Sequence, residues 1–208
     1  MFIKDTFDNP FPGKLMDYVN YTRVIDKPVL IINSNREPLK RIISAFFQNI
    51  NVYLNESPEN ILKMNVDDLI EKFKKNYYST MVNNSTYSGV CEWLDDGLNV
   101  YQTPFDKEKG YQIFNHKDKI FLNLSFDKID QWENIIRSET PYKKFELLKS
   151  NISDQKWYGK LYREFNLTIQ FDSDELKRIY QNPFWKKEIE YYGFDKYDNK
   201  GDRTNDPL

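Results

Sequence analysis

Arg36 and Ser44 are the two residues of this chain whose types and spacing suit phosphate binding. They stand in VLIINSNREPLKRIISAFFQNI, residues 29–50, where an apolar run ends in Arg36-Glu37-Pro38 and an amphipathic pattern follows. A guanidinium offers its donors as a planar fork that matches a phosphate, and a hydroxyl adds one more. With Pro38 as the first helical residue, Ser44 lies about 9 Å along the helix, at about 1.5 Å per residue. A phosphate touching both would rest against the side of the first turns, with Arg36 reaching over it. Arg41, three residues before Ser44, shares that helix face. The same residues also read as a plain strand-to-helix turn followed by a surface serine, and spacing alone does not separate the two.

The elements that must position these residues follow from the pattern around them. VLIINS at 29–34 is short, β-branched and apolar on both faces, which predicts a buried parallel strand. Pro38 suits the first turn of a helix, where its missing N–H costs nothing. Leu39, Ile42, Ile43, Phe46, Phe47 and Ile50 then form one apolar stripe, with Lys40, Arg41, Ser44 and Gln48 on the other side. A second helix is predicted over 66–77, capped by Asn65, with Val66, Leu69, Ile70 and Phe73 as its stripe. Residues 79–90 are rich in Ser, Thr and Asn and predict a loop or a broken helix. Trp93 and Leu94 start a short element that Asp95-Asp96-Gly97 ends. KIFLNLSF at 119–126 is the second legible strand, and a helix over 127–138 follows on Ile129, Trp132, Ile135 and Ile136. Pro141 predicts another helix to about residue 150, and Ser153 or Asp154 one to about Phe165. Asp172 or Ser173 caps the next, which Pro183 interrupts. Residues 195–208, DKYDNKGDRTNDPL, have almost no apolar content and predict a mobile polar tail.

Strands alternating with helices predict an α/β fold: a three-layer, P-loop-like parallel sheet with helices on both faces, in a single domain over 1–194. Only two strands are legible, fewer than a stable sheet of this kind normally has.

Bulk composition narrows the function classes. The chain of 208 residues has 30 Lys and Arg against 32 Asp and Glu. It lacks the basic excess that marks a general nucleic-acid binder, so no nucleic-acid partner is expected. Aromatic residues are 16% of the chain, enough to bury a large area and fold it. The single cysteine, Cys91, excludes an internal disulfide and a multi-cysteine metal site. MFIKDTFDNPFPG has no basic region followed by an apolar one, and no window reaches the length of a membrane span. A cytoplasmic protein without a membrane span is expected; its oligomeric state is left open.

REPLKRIISAFF at 36–47 resembles the 3′-phosphate-binding segment of sulfotransferases that use 3′-phosphoadenosine 5′-phosphosulfate. In that superfamily an arginine closes a strand and a serine follows eight residues later on the next helix, which Arg36 and Ser44 match. Three later segments, WLDDGLNVYQTPFDKEKGY (93–111), KIFLNLSFDKID (119–130) and NISDQKWYGKLYREF (151–165), narrow the likeness. They resemble, in this order, the bacterial capsular polysaccharide synthesis family marked by an Asn-Lys-Trp-Tyr-Ser motif. The likeness spans roughly residues 20–185. Here the motif reads Gln155-Lys156-Trp157-Tyr158-Gly159, so both of its ends depart, and with them any side-chain role there. The resemblance implies a sulfotransferase-like fold, a cofactor held by Arg36 and Ser44, and a glycan acceptor.

Within the motif, Trp157, Leu161 and Phe165 recur every four residues, as do Tyr158 and Tyr162. Such a stripe reads as a helix face packed on a core. A lysine–aromatic pair contacting a sugar or a nucleotide is the competing reading.

Sulfotransferases of this kind also use a Gly/Ser/Thr-rich loop with a lysine, upstream of the arginine, to hold the 5′-phosphosulfate. Pro12-Gly13-Lys14 is the nearest stretch, but no apolar strand precedes it and no Ser or Thr follows the lysine. The expectation is therefore a domain resembling the family without its first β-loop-α unit, and the catalytic residues are left unassigned. The lone histidine, His116, stands in the polar run FNHKDK and reads as a solvated turn residue. Glu92, Asp95, Asp96 and Asp106 read as caps or turn residues as readily as bases. Lys107, Lys109 and Lys200-Gly201 are cations that could meet an anionic sugar or phosphate. No metal site is readable.

The expected function is transfer of a sulfuryl group from 3′-phosphoadenosine 5′-phosphosulfate to a sugar hydroxyl in capsular or surface polysaccharide synthesis. The alternatives are an inactive truncated homologue that binds a nucleotide or glycan, and an interaction protein using Tyr77, Tyr78, Tyr191 and Tyr192 as exposed aromatics. Glycosyl transfer has no supporting metal signature, since Asp95-Asp96-Gly97 lacks a preceding strand.

Overall fold

The computed structural model describes residues 29–83, 100–116, 119–147 and 156–194. Strand β1 (Val29–Asn35) leads through Arg36 and Glu37 into helix α1 (Pro38–Gln48). Short helices α2 (Ile50–Leu54) and α3 (Pro58–Ile61) follow, then α4 (Val66–Lys72). A π-helical stretch (Phe73–Tyr78) carries α4 directly into α5 (Ser79–Asn83), so the helix read over 66–77 extends to 83 with a break inside it. After a 3₁₀ turn (Val100–Gln102) come β2 (Tyr111–His116), β3 (Lys119–Ser125), a second 3₁₀ stretch (Phe126–Gln131) and α6 (Trp132–Glu139). Helices α7 (Gly159–Thr168), α8 (Ser173–Tyr180) and α9 (Pro183–Tyr192) complete the described chain. None of its helices is long and apolar enough to cross a membrane.

The fold is mixed α/β, and its sheet is mixed rather than all parallel. Strand order is β1-β3-β2, with β1 parallel and β2 antiparallel to β3. Strand β2 escaped the sequence reading because YQIFNH has no β-branched run and carries a buried glutamine, Gln112. His116 accordingly closes a strand opposite Lys119 instead of standing in a turn. The central strand is β3, with Phe121, Leu122, Asn123 and Leu124 fully buried. β1 is an edge strand among the described residues; it is half-buried, and Ile32 is 37% exposed.

The largest core is helix on helix. The stripe of α1, fully apolar as read, packs with Leu69, Phe73, Tyr77 and Tyr78, with Tyr158, Leu161, Tyr162 and Phe165 of the α7 region, and with Trp185 of α9. Phe46, Phe47, Phe73 and Phe165 interlock at ring separations of 5.1–6.2 Å, mostly edge to face, the arrangement that aromatic quadrupoles favour. The motif stripe is therefore core. Its first aromatic, Trp157, stands outside the core and is 41% exposed. Tyr77, Tyr78 and Tyr192 are also buried, at 4%, 2% and 4% exposure, so they present no surface to a partner.

The two faces of the sheet are covered differently. Leu30, Ile113, Leu122 and Leu124 meet Ile135 and Ile136 of α6, together with Tyr142 and Phe145. That packing explains why Pro141 opens no helix over 141–147. The segment folds back over the end of α6, where Lys143 Nζ donates to the carbonyls of Arg137 (2.8 Å) and Ser138 (3.2 Å). On the other face Ile31, Phe114 and Phe121 pack under Val100. Asp172 caps α8 as read, in a capping box with Glu175. Gly159 opens α7 with no side-chain cap; Ser153 and Asp154 lie outside the described residues, as do residues 195–208.

Candidate functional site

Arg36 follows the last residue of β1, and β1 runs parallel to β3, so Arg36 stands beside Phe126 at the carboxyl ends of two parallel strands. Open α/β sheets bind ligands at such ends. The Arg36 guanidinium lies over the Phe126 ring, 4.7 Å from its centroid. Stacking occupies the face of the guanidinium, while its N–H donors lie in its plane. Phe126 is in turn held edge to face by Trp132, whose Nε1 donates to Ser125 O at 2.7 Å. The arginine is thus set on a two-ring platform built from the β3–α6 connection.

Glu37 is the N-cap of α1. Its carboxylate accepts from the N–H groups of Leu39 (3.0 Å) and Lys40 (2.8 Å) and from the Tyr180 hydroxyl (2.9 Å). Burial pushes its carboxyl above the usual carboxylate range, and the three hydrogen bonds pull the other way. The positive end of α1 is consequently filled from within the chain.

Ser44 is partly buried on α1, and its hydroxyl makes no hydrogen bond among the described residues. Arg41, expected to share its face toward a ligand, is committed elsewhere. It forms a fork with Glu188 of α9 at 2.9 and 3.0 Å and lies 4.7 Å over the Trp185 ring. Lys40 lies 3.8 Å from Asp127, at the same end of the sheet as Arg36.

The turn before β2 comes to that end as well. Asp106 bridges to Tyr111, which pairs with Leu124, and the Ser125 N–H donates to Gly110 O at 2.7 Å. Gly110 makes the turn with φ +75°, a conformation costly for any other residue. Asp106, Lys107 and Lys109 therefore sit at the same end as Arg36, about 10 Å away across two strand spacings. Asp106 accepts from the Lys109 N–H at 2.9 Å, which holds its carboxyl below the usual range and makes it a poor proton acceptor. His116 is at the opposite end. Seven residue steps from Lys119 to Phe126 separate its level from that of Arg36, a little over about 20 Å at about 3.3 Å per residue. Glu92, Asp95, Asp96, Pro12-Gly13-Lys14, Gln155 and Lys200-Gly201 lie outside the described residues.

A row of amides crosses the sheet just below Arg36. Asn33, Asn123 and Gln112 are register partners on β1, β3 and β2. Asn123 Oδ1 accepts from Asn33 Nδ2 (3.0 Å) and Asn35 Nδ2 (3.2 Å). Its Nδ2 donates to Gln112 Oε1 (3.4 Å) and the Tyr192 hydroxyl (2.9 Å). Gln112 Nε2 passes the chain on to the carbonyls of Val100 (2.8 Å) and Thr103 (2.6 Å), which the Tyr191 hydroxyl also serves. The sequence reading missed this row. Its signal was present: Asn33 and Asn35 at strand spacing, and Asn123 in the middle of an otherwise apolar strand.

Among the described residues no cluster of three or more His, Cys, Asp or Glu could hold a metal ion. No protein-family model, curated protein or solved structure matches the chain.

Proposed function

We propose that this chain is a sulfotransferase-like protein of capsular or surface polysaccharide synthesis, with Arg36 and Ser44 as the contacts for the 3′-phosphate of 3′-phosphoadenosine 5′-phosphosulfate. The single observation that carries the reading is the placement of Arg36. It stands at the carboxyl ends of two parallel strands with its guanidinium stacked on Phe126, so its donors are held at a level where α/β sheets take phosphorylated ligands. The motif resemblance supplies the family, the three-layer P-loop-like fold, the cofactor and the glycan acceptor. In-line sulfuryl transfer depends mainly on positioning and charge stabilisation, by analogy with phosphoryl transfer, and an arginine contributes to both.

A second reading has its own observation. No carboxylate near Arg36 is both basic and free to act: the Lys109 N–H holds the Asp106 carboxyl below the usual range, and the Glu37 carboxyl, which burial raises, is engaged by three donors within the chain. His116 is about 20 Å away along β3. This favours a module that binds the nucleotide or a glycan without turning it over.

Calorimetric titration of 3′-phosphoadenosine 5′-phosphate into the chain and its Arg36→Ala variant tests the shared part of both readings. Binding that weakens in the variant supports the site. No binding to a folded chain removes the nucleotide from the function. Transfer of labelled sulfate to a polysaccharide acceptor then separates enzyme from binding module.

A further inference from the structure

Lys40 is a cation in a place where helix α1 does not favour one. It stands in the first turn, which holds no acidic residue, and a positive charge there opposes the helix dipole. The other cation of that turn, Arg41, is taken by the buried Glu188. The cap residue Glu37 is the nearest carboxylate in sequence, but its oxygens accept from two backbone N–H groups and the Tyr180 hydroxyl. Lys40 Nζ faces Asp127 Oδ1 at 3.8 Å, and both side chains reach solvent, at 31% and 45% exposure. An ion pair that long and that open contributes little to stability, so its anion is readily exchanged for another.

Two observations bring Lys40 to the Arg36 site. Arg36 lies over the Phe126 ring and Lys40 meets Asp127, the next residue, so the two cations converge on one point of the β3–α6 connection. Ser44, four residues after Lys40, lies on the same flank of α1, and its hydroxyl makes no hydrogen bond among the described residues. We propose that Lys40 is a third contact for the phosphate that Arg36 holds, and that Asp127 is an internal stand-in which that phosphate displaces. In the free chain the Asp127 carboxylate keeps the ammonium beside the site. The arriving phosphate takes the ammonium over, the flexible lysine stem turns with it, and Asp127 is left to solvent. The inference rests on the Arg36 reading above and deepens it by naming the charge of the ligand. Two cations match a phosphate monoester, which carries about −1.5 to −2 at neutral pH.

The test titrates 3′-phosphoadenosine 5′-phosphate by calorimetry into the wild-type chain, Arg36→Ala, Lys40→Gln and Asp127→Asn. Lys40 and Asp127 are partly exposed, so both substitutions are expected to leave the chain folded, which thermal melting without ligand checks. Lys40→Gln is expected to bind about tenfold more weakly. Asp127→Asn is expected to bind about threefold more tightly, because the phosphate no longer competes with a carboxylate for the ammonium. The opposite signs are what an exchange requires. A pair that merely braces α1 against the β3–α6 connection would weaken binding in both variants. Lys40→Gln that binds as the wild type does, with Arg36→Ala still impaired, overturns this inference and leaves the phosphate site standing. Asp127→Asn that binds no more tightly than the wild type overturns the exchange in the same way. No binding by the folded wild type overturns both readings.

Discussion

Arg36 and Phe126 stand side by side at the carboxyl ends of β1 and β3, the guanidinium 4.7 Å from the ring centroid. The ring fixes the plane of the donors before any ligand arrives. A preorganised guanidinium loses less side-chain entropy on binding than one that must be collected from solution. Arg36→Ala is therefore expected to weaken nucleotide binding by about 1.5–3 kcal/mol, the worth of a charge-assisted pair. Phe126→Leu, which keeps the charge and removes the platform, is expected to cost less, about 0.5–1 kcal/mol. Calorimetry of the two variants side by side checks the order; a Phe126→Leu loss as large as that of Arg36→Ala would mean that the ring itself touches the ligand.

Arg41 holds a different carboxylate. Glu188 has a side chain only 2% exposed, and its two oxygens take the whole Arg41 fork. Arg41→Met leaves a buried charge with no partner, and about 3–5 kcal/mol of unfolding free energy is expected to go with it. Replacing both, with Arg41→Met and Glu188→Leu together, is expected to recover most of that loss, because the pair also pays for its own desolvation. Urea unfolding of the two variants reads the outcome. Equal losses in the single and double variants would show that α1 and α9 are held by packing around Trp185 rather than by charge.

Glu37 makes stability depend on pH in an unusual direction. Burial raises its carboxyl above the ordinary 4.5, so the folded chain binds its proton more tightly than the unfolded chain does. The stability this contributes is complete below the unfolded value and is lost as pH rises through the folded one. Glu37→Gln removes the titration and keeps an oxygen to cap α1. The stability of the wild type relative to Glu37→Gln is expected to be greatest below pH 4.5 and to fall as the pH climbs toward neutrality. A difference that stays constant with pH would mean that the Tyr180 and backbone donors fully offset the burial.

The parts of this fold that were legible in the sequence are those where one side of an element decides its place. The stripe of α1 and the Asp172 cap of α8 are of this kind. So is the burial of Tyr158, Leu161, Tyr162 and Phe165. What escaped depends on partners distant in sequence. Strand β2 is held by its register with β3 and by amides that mimic the polarity of a loop. An apolar run such as VLIINS reads as buried, yet among the described residues it sits at an edge with Ile32 exposed, because the pattern records composition and not how many neighbours the strand acquires. Arg36 was legible as a candidate; Phe126, 90 residues on, was not, since nothing local marks it as a platform.

The ring cluster of the helical core offers the largest single effect. Phe165 of α7 is 0% exposed and meets Phe46, Phe47 and Phe73 at 6.2, 5.1 and 5.3 Å between centroids. Phe165→Ala removes the ring at which α1, the π-helical stretch and α7 converge, and a cost of about 3–5 kcal/mol is expected. Phe165→Leu keeps most of the volume but loses the edge-to-face contacts, and a cost of about 1–2 kcal/mol is expected. Phe165 packs in the helical core and not at the end of the sheet where Arg36 stands. A folded Phe165→Leu chain is therefore expected to bind nucleotide with unchanged affinity while its urea midpoint falls. Loss of binding in step with stability would place the ligand against the helical core instead of the strand ends.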